Sequence, residues 1–492
     1  MRARFLPDAR TLRQDFSASL VVFLVALPLC LGVAVASGVP AELGLVTGIV
    51  GGLVVGVMRG SSLQVSGPAA GLTVLVYEAV QTHGIARLGM IVLAAGALQM
   101  LLGALRMGRW FRAISSSVVS GMLAGIGLVL MVGQAYTLFD RAAPGGALAN
   151  LAGLPALVAS VDTPAAAALG VGTIAVMAGW RYAPRRLRVI PAPLVGVALA
   201  TAAAAALRLP VERLEVRGLM DAVRLPGLAD LEAFTSAGVL GTALAFALIA
   251  SAESLFSAAA VDRMHNGPRT DYDRELFAQG TGNAVCGLLG ALPMTAVIVR
   301  SAANVQAGAA TKASRILHGA WLLLFAVLLP AALGVIPMAA LAGVLVYSGA
   351  KLVPLRAAAE LWRANRGEAL VLTATAVTIV ATNLLEGVLV GLLLSLVKCA
   401  GDVSHVQVHV NERADSIRVR ITGNATFMRL PRILDALEAV PHGRPVELDV
   451  SGLRHVDHTC RAALVTWAAN RNHGSCRVDL PEYLSAVSAA AH

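Results

Sequence analysis

Two ionised side chains stand inside stretches that are otherwise almost wholly apolar. Glu253 lies in Ala250-Ser251-Ala252-Glu253-Ser254-Leu255-Phe256, and Arg300 in Val299-Arg300-Ser301-Ala302-Ala303-Asn304. A charge at mid-membrane depth costs about 2.5–3.5 kcal/mol even on a lenient insertion scale, so such residues line a pathway or pair with one another. Arg300 opens a helical run of small residues that follows an extended-looking Leu292-Pro293-Met294-Thr295. A second stretch has the same form: Leu63-Gln64-Val65 leads into Ser66-Gly67-Pro68-Ala69 and then a helical pattern. Pro68 suits the first turn of a helix, where its missing N–H costs nothing. Two half-helices beginning at the midplane would aim free N–H groups and positive dipole ends at one point, which is anion-binding chemistry. Candidate substrate contacts are therefore Ser66, Gly67, Pro68 and Ala69 on one side and Val299, Arg300 and Ser301 on the other. Glu253 supplies a negative charge that a coupling Na+ or H+ can neutralise. The plainer alternatives are Gly/Pro kinks in packed helices and a structural Glu253–Arg300 ion pair.

Those half-helices need a membrane around them, and the composition provides for it. The 492 residues are 57% hydrophobic and only 14% charged, with a mean hydropathy of +0.73, against about 25% charged in soluble chains. Collagen-like, disordered and disulfide-scaffold classes are excluded. The net charge of +10 comes without a basic patch interleaved with aromatics, so it does not argue for nucleic acid. Five cysteines show no paired spacing and read as structural thiols. No nucleophile constellation, metal-ligand cluster or phosphate loop suggests an enzyme, and no cofactor is implied beyond the coupling ion.

About 20 apolar residues cross a bilayer. Stretches of that kind fall near 17–36, 43–58, 63–82, 88–106, 111–139, 163–181 and 189–207, and again near 237–262, 274–291, 293–310, 315–336, 337–353, 367–383 and 384–400. The first holds Pro28 and reads as a retained span. With the N-terminus inside, the connections called cytoplasmic carry 21 Lys/Arg and the opposite ones six. This bias predicts cytoplasmic N- and C-termini and fourteen spans. Seven spans per half is an odd number, so the second half should be inverted relative to the first. The broken third and tenth spans then occupy corresponding positions, the best sequence pointer to a transporter binding site. The division is 1–14 cytoplasmic, 15–235 first repeat, 236–401 second repeat and 402–492 a soluble tail. Glu78 and Glu386 read as interfacial, and His83 and His318 as span-end residues with solvated or packing roles.

The tail carries 20 charges in 91 residues, net zero. Ser416 to Ile421 alternates polar and apolar like a half-buried strand. Leu430 to Val440 has helical spacing, Pro445 to Val450 reads as a strand and Arg461 to Ala469 as a helix, which predicts a small α/β domain.

These residues together resemble the SulP family of inorganic anion transporters. The matching pieces are Val25-Ala26-Leu27-Pro28, Val65-Ser66-Gly67-Pro68, Ser251-Ala252-Glu253-Ser254-Leu255 and Arg300-Ser301-Ala302-Ala303-Asn304. Glu447-Leu448-Asp449-Val450-Ser451-Gly452 and Val456-Asp457-His458-Thr459-Cys460 resemble the STAS domain that relatives carry at this position. The resemblance implies a core of spans 1–4 and 8–11, a gate of spans 5–7 and 12–14, alternating access, a homodimer in the inner membrane and cytoplasmic partners for the STAS-like tail. It places the anion between the half-helices near Arg300, with Glu253 in cation coupling. Many members have Gln directly after the first-span proline. Here Leu29-Cys30 follows, as in bacterial members associated with carbonic anhydrase, which leans from sulfate towards bicarbonate. An uncoupled exchanger or channel of the same fold is the alternative.

Overall fold

A computed structural model describes residues 9–479 apart from 110–114, 160–163, 185–186, 188–189, 216–217, 228–235, 413–415, 442–444 and 472–475. Arg2, Arg4, Arg112, Arg185, Arg186, Arg188 and Arg217, which enter the charge count along the chain, lie outside the described residues. The chain forms two compact units, Met1–Leu392 and Leu393–His492.

The first unit is helical. Its first half runs α1 (Ala9–Ala36), α2 (Ala41–Val50) with a π-turn extension Gly51–Val55, strand β1 (Ser66–Pro68), α3 (Thr73–His83), α4 (Ile85–Ala104), α5 (Ser116–Thr137), α6 (Ala147–Ala159), α7 (Pro164–Gly179), α8 (Ala192–Ala206) and the short α9 (Leu219–Ala222). The second half runs α10 (Ala237–Val261), α11 (Tyr272–Leu288), β2 (Met294–Ala296), α12 (Ile298–Gln306), α13 (Ala313–Leu328), α14 (Pro330–Leu333), α15 (Met338–Leu352), α16 (Leu355–Ala364), α17 (Arg366–Ala381) and α18 (Leu384–Val403). Each of the fourteen apolar stretches contains a helix, but among the described residues only six helical runs are long and apolar enough to cross a membrane, one of them Met338–Ala364, in which α15 continues into α16.

For α3 and α12 the shortfall has a physical cause. They have 11 and 9 residues, about 16 and 13 Å at 1.5 Å per residue, roughly half of a hydrocarbon core. The rest of each crossing is extended chain. β1 and β2 pair antiparallel, Ser66 with Ala296, Gly67 with Thr295 and Pro68 with Met294. The helices they feed therefore start at one level and run in opposite senses, the relation expected of inverted halves. One expectation needs correcting: Pro68 ends the strand, and the helix begins later, through a 3-10 turn at Ala70–Leu72.

Packing sorts the helices into two sets. α1–α4 pack among α10–α13, while α5, α7, α8, α15 and α17 pack on one another. The tightest pair is α4 on α11. Gly89, Gly96 and Gly103 recur every seventh residue, and a β-carbon on Gly96 would meet the carbonyl of Gly280 at 2.7 Å. Bare backbone allows that approach, as small residues do in membrane helix pairs.

The second unit contains a four-stranded sheet in the order β3 (Val406–Glu412), β4 (Ile417–Ala425), β5 (Val446–Val456), β6 (Cys476–Asp479). β3 and β4 are antiparallel, and the other pairs are parallel. Helices α19 (Leu430–Glu438) and α20 (His458–Arg471) follow β4 and β5. Ile417, Val419 and Ile421 alternate into a core with Leu448, Val450 and Ile433, the period-2 pattern of a half-buried strand. β3 was not read from sequence. Its residues are mostly exposed and polar, so the pairing, not burial, makes it a strand.

Candidate functional site

At the crossing of β1 and β2 the chain leaves helical geometry in the interior, so its backbone groups need side-chain partners. They have them. Asn283 of α11 accepts from Met294 N–H at 2.7 Å and donates to Met294 C=O at 3.0 Å. It also donates to Gln99 of α4, which donates in turn to Ser251 of α10. Ser254 Oγ accepts from Ala296 N–H, and Gln64 donates to Ser254 C=O. Asn304 donates to Leu63 C=O at 2.9 Å. Arg315, buried in α13, donates to Gly56, Met58 and Gln64 carbonyls. Glu275 accepts from Ser61 N–H and from Gln279.

Two of the sequence-derived contacts belong to this scaffold. Ser301 Oγ accepts from Val65 N–H at 2.9 Å and donates to Val297 C=O. Ser66 Oγ accepts from Gln279 at 2.7 Å. Both hydroxyls are thus spent on holding the crossing together. Ala69 is buried and does not line the cavity that reaches the crossing.

The remaining candidates converge. A cavity of about 820 Å³ reaches the crossing, where Pro68, Ala70, Gly71, Val299, Arg300 and Glu253 line it. α1 contributes only Leu29 and Val33, so that wall is apolar, while α5 contributes Ser116 and Ser120. The cavity continues to the α10–α11 connection at Arg263 and Arg269. There Asp262 accepts from Thr270 N–H and Oγ1–H and from Tyr272 OH.

Arg300 is 1% exposed. Its Nη2 is 3.5 Å from Pro68 C=O, while Nε and Nη1 have no partner. His318 is fully buried with both ring nitrogens unpartnered, so of the solvated and packing roles read from sequence it does not have the solvated one. Glu253 and Arg300 form no ion pair; Glu253 Oε2 is buried without a partner, as is Thr295 Oγ1. A β-carbon on Gly71 would stand 2.8 Å from Glu253 Oε2, so the carboxylate rests against the start of the first half-helix.

The first turn of each half-helix leaves N–H groups without intrahelical acceptors. On α12 the first such bond to close is Ser301 N–H to Val297 C=O. Arg300 therefore adds a fixed charge to a place where backbone N–H groups already point, and a small anion is the ligand such an array fits. The sequence reading missed Asn283, Gln279 and Glu275. They recur every fourth residue on α11, and a polar stripe of that spacing within an apolar span was the available signal.

A helical membrane domain with two half-helices meeting at a buried cation, joined to a small α/β unit, defines a multi-pass membrane transporter. A model of the sulfate permease family matches residues 12–375, and an Mlab-type STAS domain model matches residues 408–491. The chain belongs to the sulfate permease family, whose members are transporters and not enzymes. It is 28% identical to the bicarbonate transporter BicA of Picosynechococcus sp. over 84% of this chain and 75% of that one. It is 26% identical to the putative sulfate transporter YvdB of Bacillus subtilis, covering 78% and 73%. Among solved structures, the transmembrane domain of a cyanobacterial BicA superimposes with a TM-score of 0.67 at 23% identity, covering 78% of this chain and 98% of that one. Murine Slc26a9 in an inward-facing state superimposes with a TM-score of 0.81 at 14% identity, covering 99% and 88%. These likenesses establish the shared fold.

Proposed function

We propose that the protein is a secondary active transporter of a small inorganic anion, bicarbonate or sulfate. The anion is held between the starts of α3 and α12. The observation that carries this reading is Arg300: a buried cation with Nε and Nη1 unpartnered, beside two helix starts at the inner end of a cavity. An uncompensated interior charge is costly, and an anion compensates it. Glu253 opens the way to coupling. Its carboxylate lies at the same point without a counter-ion, and a Na+ or H+ entering with the anion neutralises it. Transport proceeds by alternating access, the α1–α4/α10–α13 set moving against the α5/α7/α8/α15/α17 set.

The same proposal includes fourteen spans in two inverted repeats, inner-membrane location, cytoplasmic termini, a homodimer and a cytoplasmic partner for the STAS-like unit. Bicarbonate is the favoured substrate. Leu29 gives the α1 wall no polar group, and BicA of Picosynechococcus sp., a bicarbonate transporter, is 28% identical.

The test is uptake of labelled bicarbonate into proteoliposomes under an inward Na+ gradient or pH gradient, with unlabelled sulfate as competitor. Concentrative uptake that ignores sulfate is expected. Flux that merely follows the anion gradient would make the protein an exchanger or channel, and absence of flux for both anions would overturn the reading.

A further inference from the structure

The helix between α15 and α17 has no part in the transport reading. α16 has the sequence Leu-Arg-Ala-Ala-Ala-Glu-Leu-Trp-Arg-Ala, and none of its residues is buried. Leu355 is 74% exposed and Trp362 48% exposed. They stand two turns apart on one face. Arg356 and Arg363, each the next residue along, stand two turns apart on the adjoining face, exposed and without an ion pair among the described residues. Glu360 is the only acid of the helix. Lys351 precedes it, with its ammonium 4.5 Å from the Tyr347 ring centroid, and Arg366 follows it. α16 packs on α17, and its Ala358 and Leu361 are half-buried.

An apolar ridge ending in tryptophan with a cationic rim beside it is poorly placed in water but matches the boundary between acyl chains and headgroups. The apolar α15 and α17 flank α16 along the chain. We infer that α16 is an interfacial helix whose Leu355–Trp362 ridge enters the bilayer and whose Arg356–Arg363 pair binds the phosphates of anionic phospholipids. Zwitterionic headgroups neutralise their own phosphate, so two unpaired guanidinium groups favour the anionic ones. This surface is independent of the anion site, and its test has no transport readout.

The full chain is reconstituted into phosphatidylcholine vesicles containing an equal fraction of brominated phosphatidylcholine or brominated phosphatidylglycerol. The Trp362 signal is the emission lost in Trp362→Phe. Both lipids should quench it, the anionic one at least about twofold more. R356Q/R363Q should lose the preference, R356K/R363K should keep it, and high salt should erase it in the wild-type chain. Absence of quenching would place the ridge outside the bilayer and overturn the inference. So would equal quenching by the two lipids at low salt, or a preference that survives in R356Q/R363Q.

Discussion

Gly67 and Arg300 share one volume: a β-carbon on Gly67 would overlap Nη1 of Arg300. The residue without a side chain admits the guanidinium to the strand crossing, and the strand pairing of Gly67 with Thr295 keeps that gap in place. Gly67→Ala should therefore leave the fold intact, because the atom that must move ends a flexible side chain, but displace the guanidinium. Anion affinity should fall while the thermal midpoint in detergent stays near wild type. An unchanged dissociation constant would separate Arg300 from the site.

Removing the charge itself is the direct test. A charge-assisted hydrogen bond is worth about 1.5–3 kcal/mol, so Arg300→Ala should weaken anion binding by roughly 10- to 100-fold. Arg300→Lys should recover part of this, since a point charge lacks the planar fork. Titration calorimetry on purified protein reads both.

Glu253→Gln keeps the shape and removes the charge. Gradient-driven uptake should be abolished, while anion binding and anion–anion counterflow survive. Driven uptake near the wild-type rate would remove Glu253 from the coupling step.

Asn283 satisfies both backbone groups of Met294. Asn283→Leu should leave a buried N–H and C=O unpaired, at a cost of about 1–3 kcal/mol each. A lower thermal midpoint together with impaired transport is expected, unlike the Gly67 variant. A midpoint equal to wild type would show that the crossing is held by other groups.

In the STAS-like unit, Asp449 accepts from Ser451 Oγ at 2.5 Å and Ser451 N–H at 3.1 Å, with Arg420 and Arg418 beside it. These bonds, the Ser451 hydroxyl first, hold its carboxyl below the usual carboxylate range. A pKa lowered by folding stabilises the folded form above the unfolded value and ceases to do so as pH falls through the folded value. The protection factors of amides in β4 and β5, exchange rates corrected for the intrinsic pH dependence, should therefore fall on acidification below the usual carboxylate range. In Asp449→Asn that fall should be reduced, and an identical pH profile would remove Asp449 from the effect.

Much of the fold was legible in the chain. Strand-to-helix breaks at Ser66-Gly67-Pro68 and Met294-Thr295 were visible because Gly, Pro and β-favouring residues interrupt apolar runs. Glu253 and Arg300 stood out because charge is rare there. β3, α16 and the polar stripe of α11 were not read. β3 was passed over although Val406, Val408 and Val410 alternate with polar residues, because most of it is exposed and only its first valine is buried. α16 was passed over because Arg356, Glu360 and Arg363 interrupt its apolar residues and read as a connection between spans.

What the sequence determined by itself was a membrane domain, two broken spans and two intramembrane charges, since each is a local departure from apolar composition. What only the tertiary structure decided was the division of labour around them. Ser66 and Ser301 turn to the scaffold, Pro68, Val299 and Arg300 line the cavity, and Gly67 makes room for the guanidinium. His318, read as a span-end residue with a solvated or packing role, is fully buried. The physical reason is that a strand crossing joins residues more than two hundred positions apart. Which hydroxyl meets a backbone N–H there, and which faces the cavity, depends on the antiparallel register, and no spacing along the chain encodes that register.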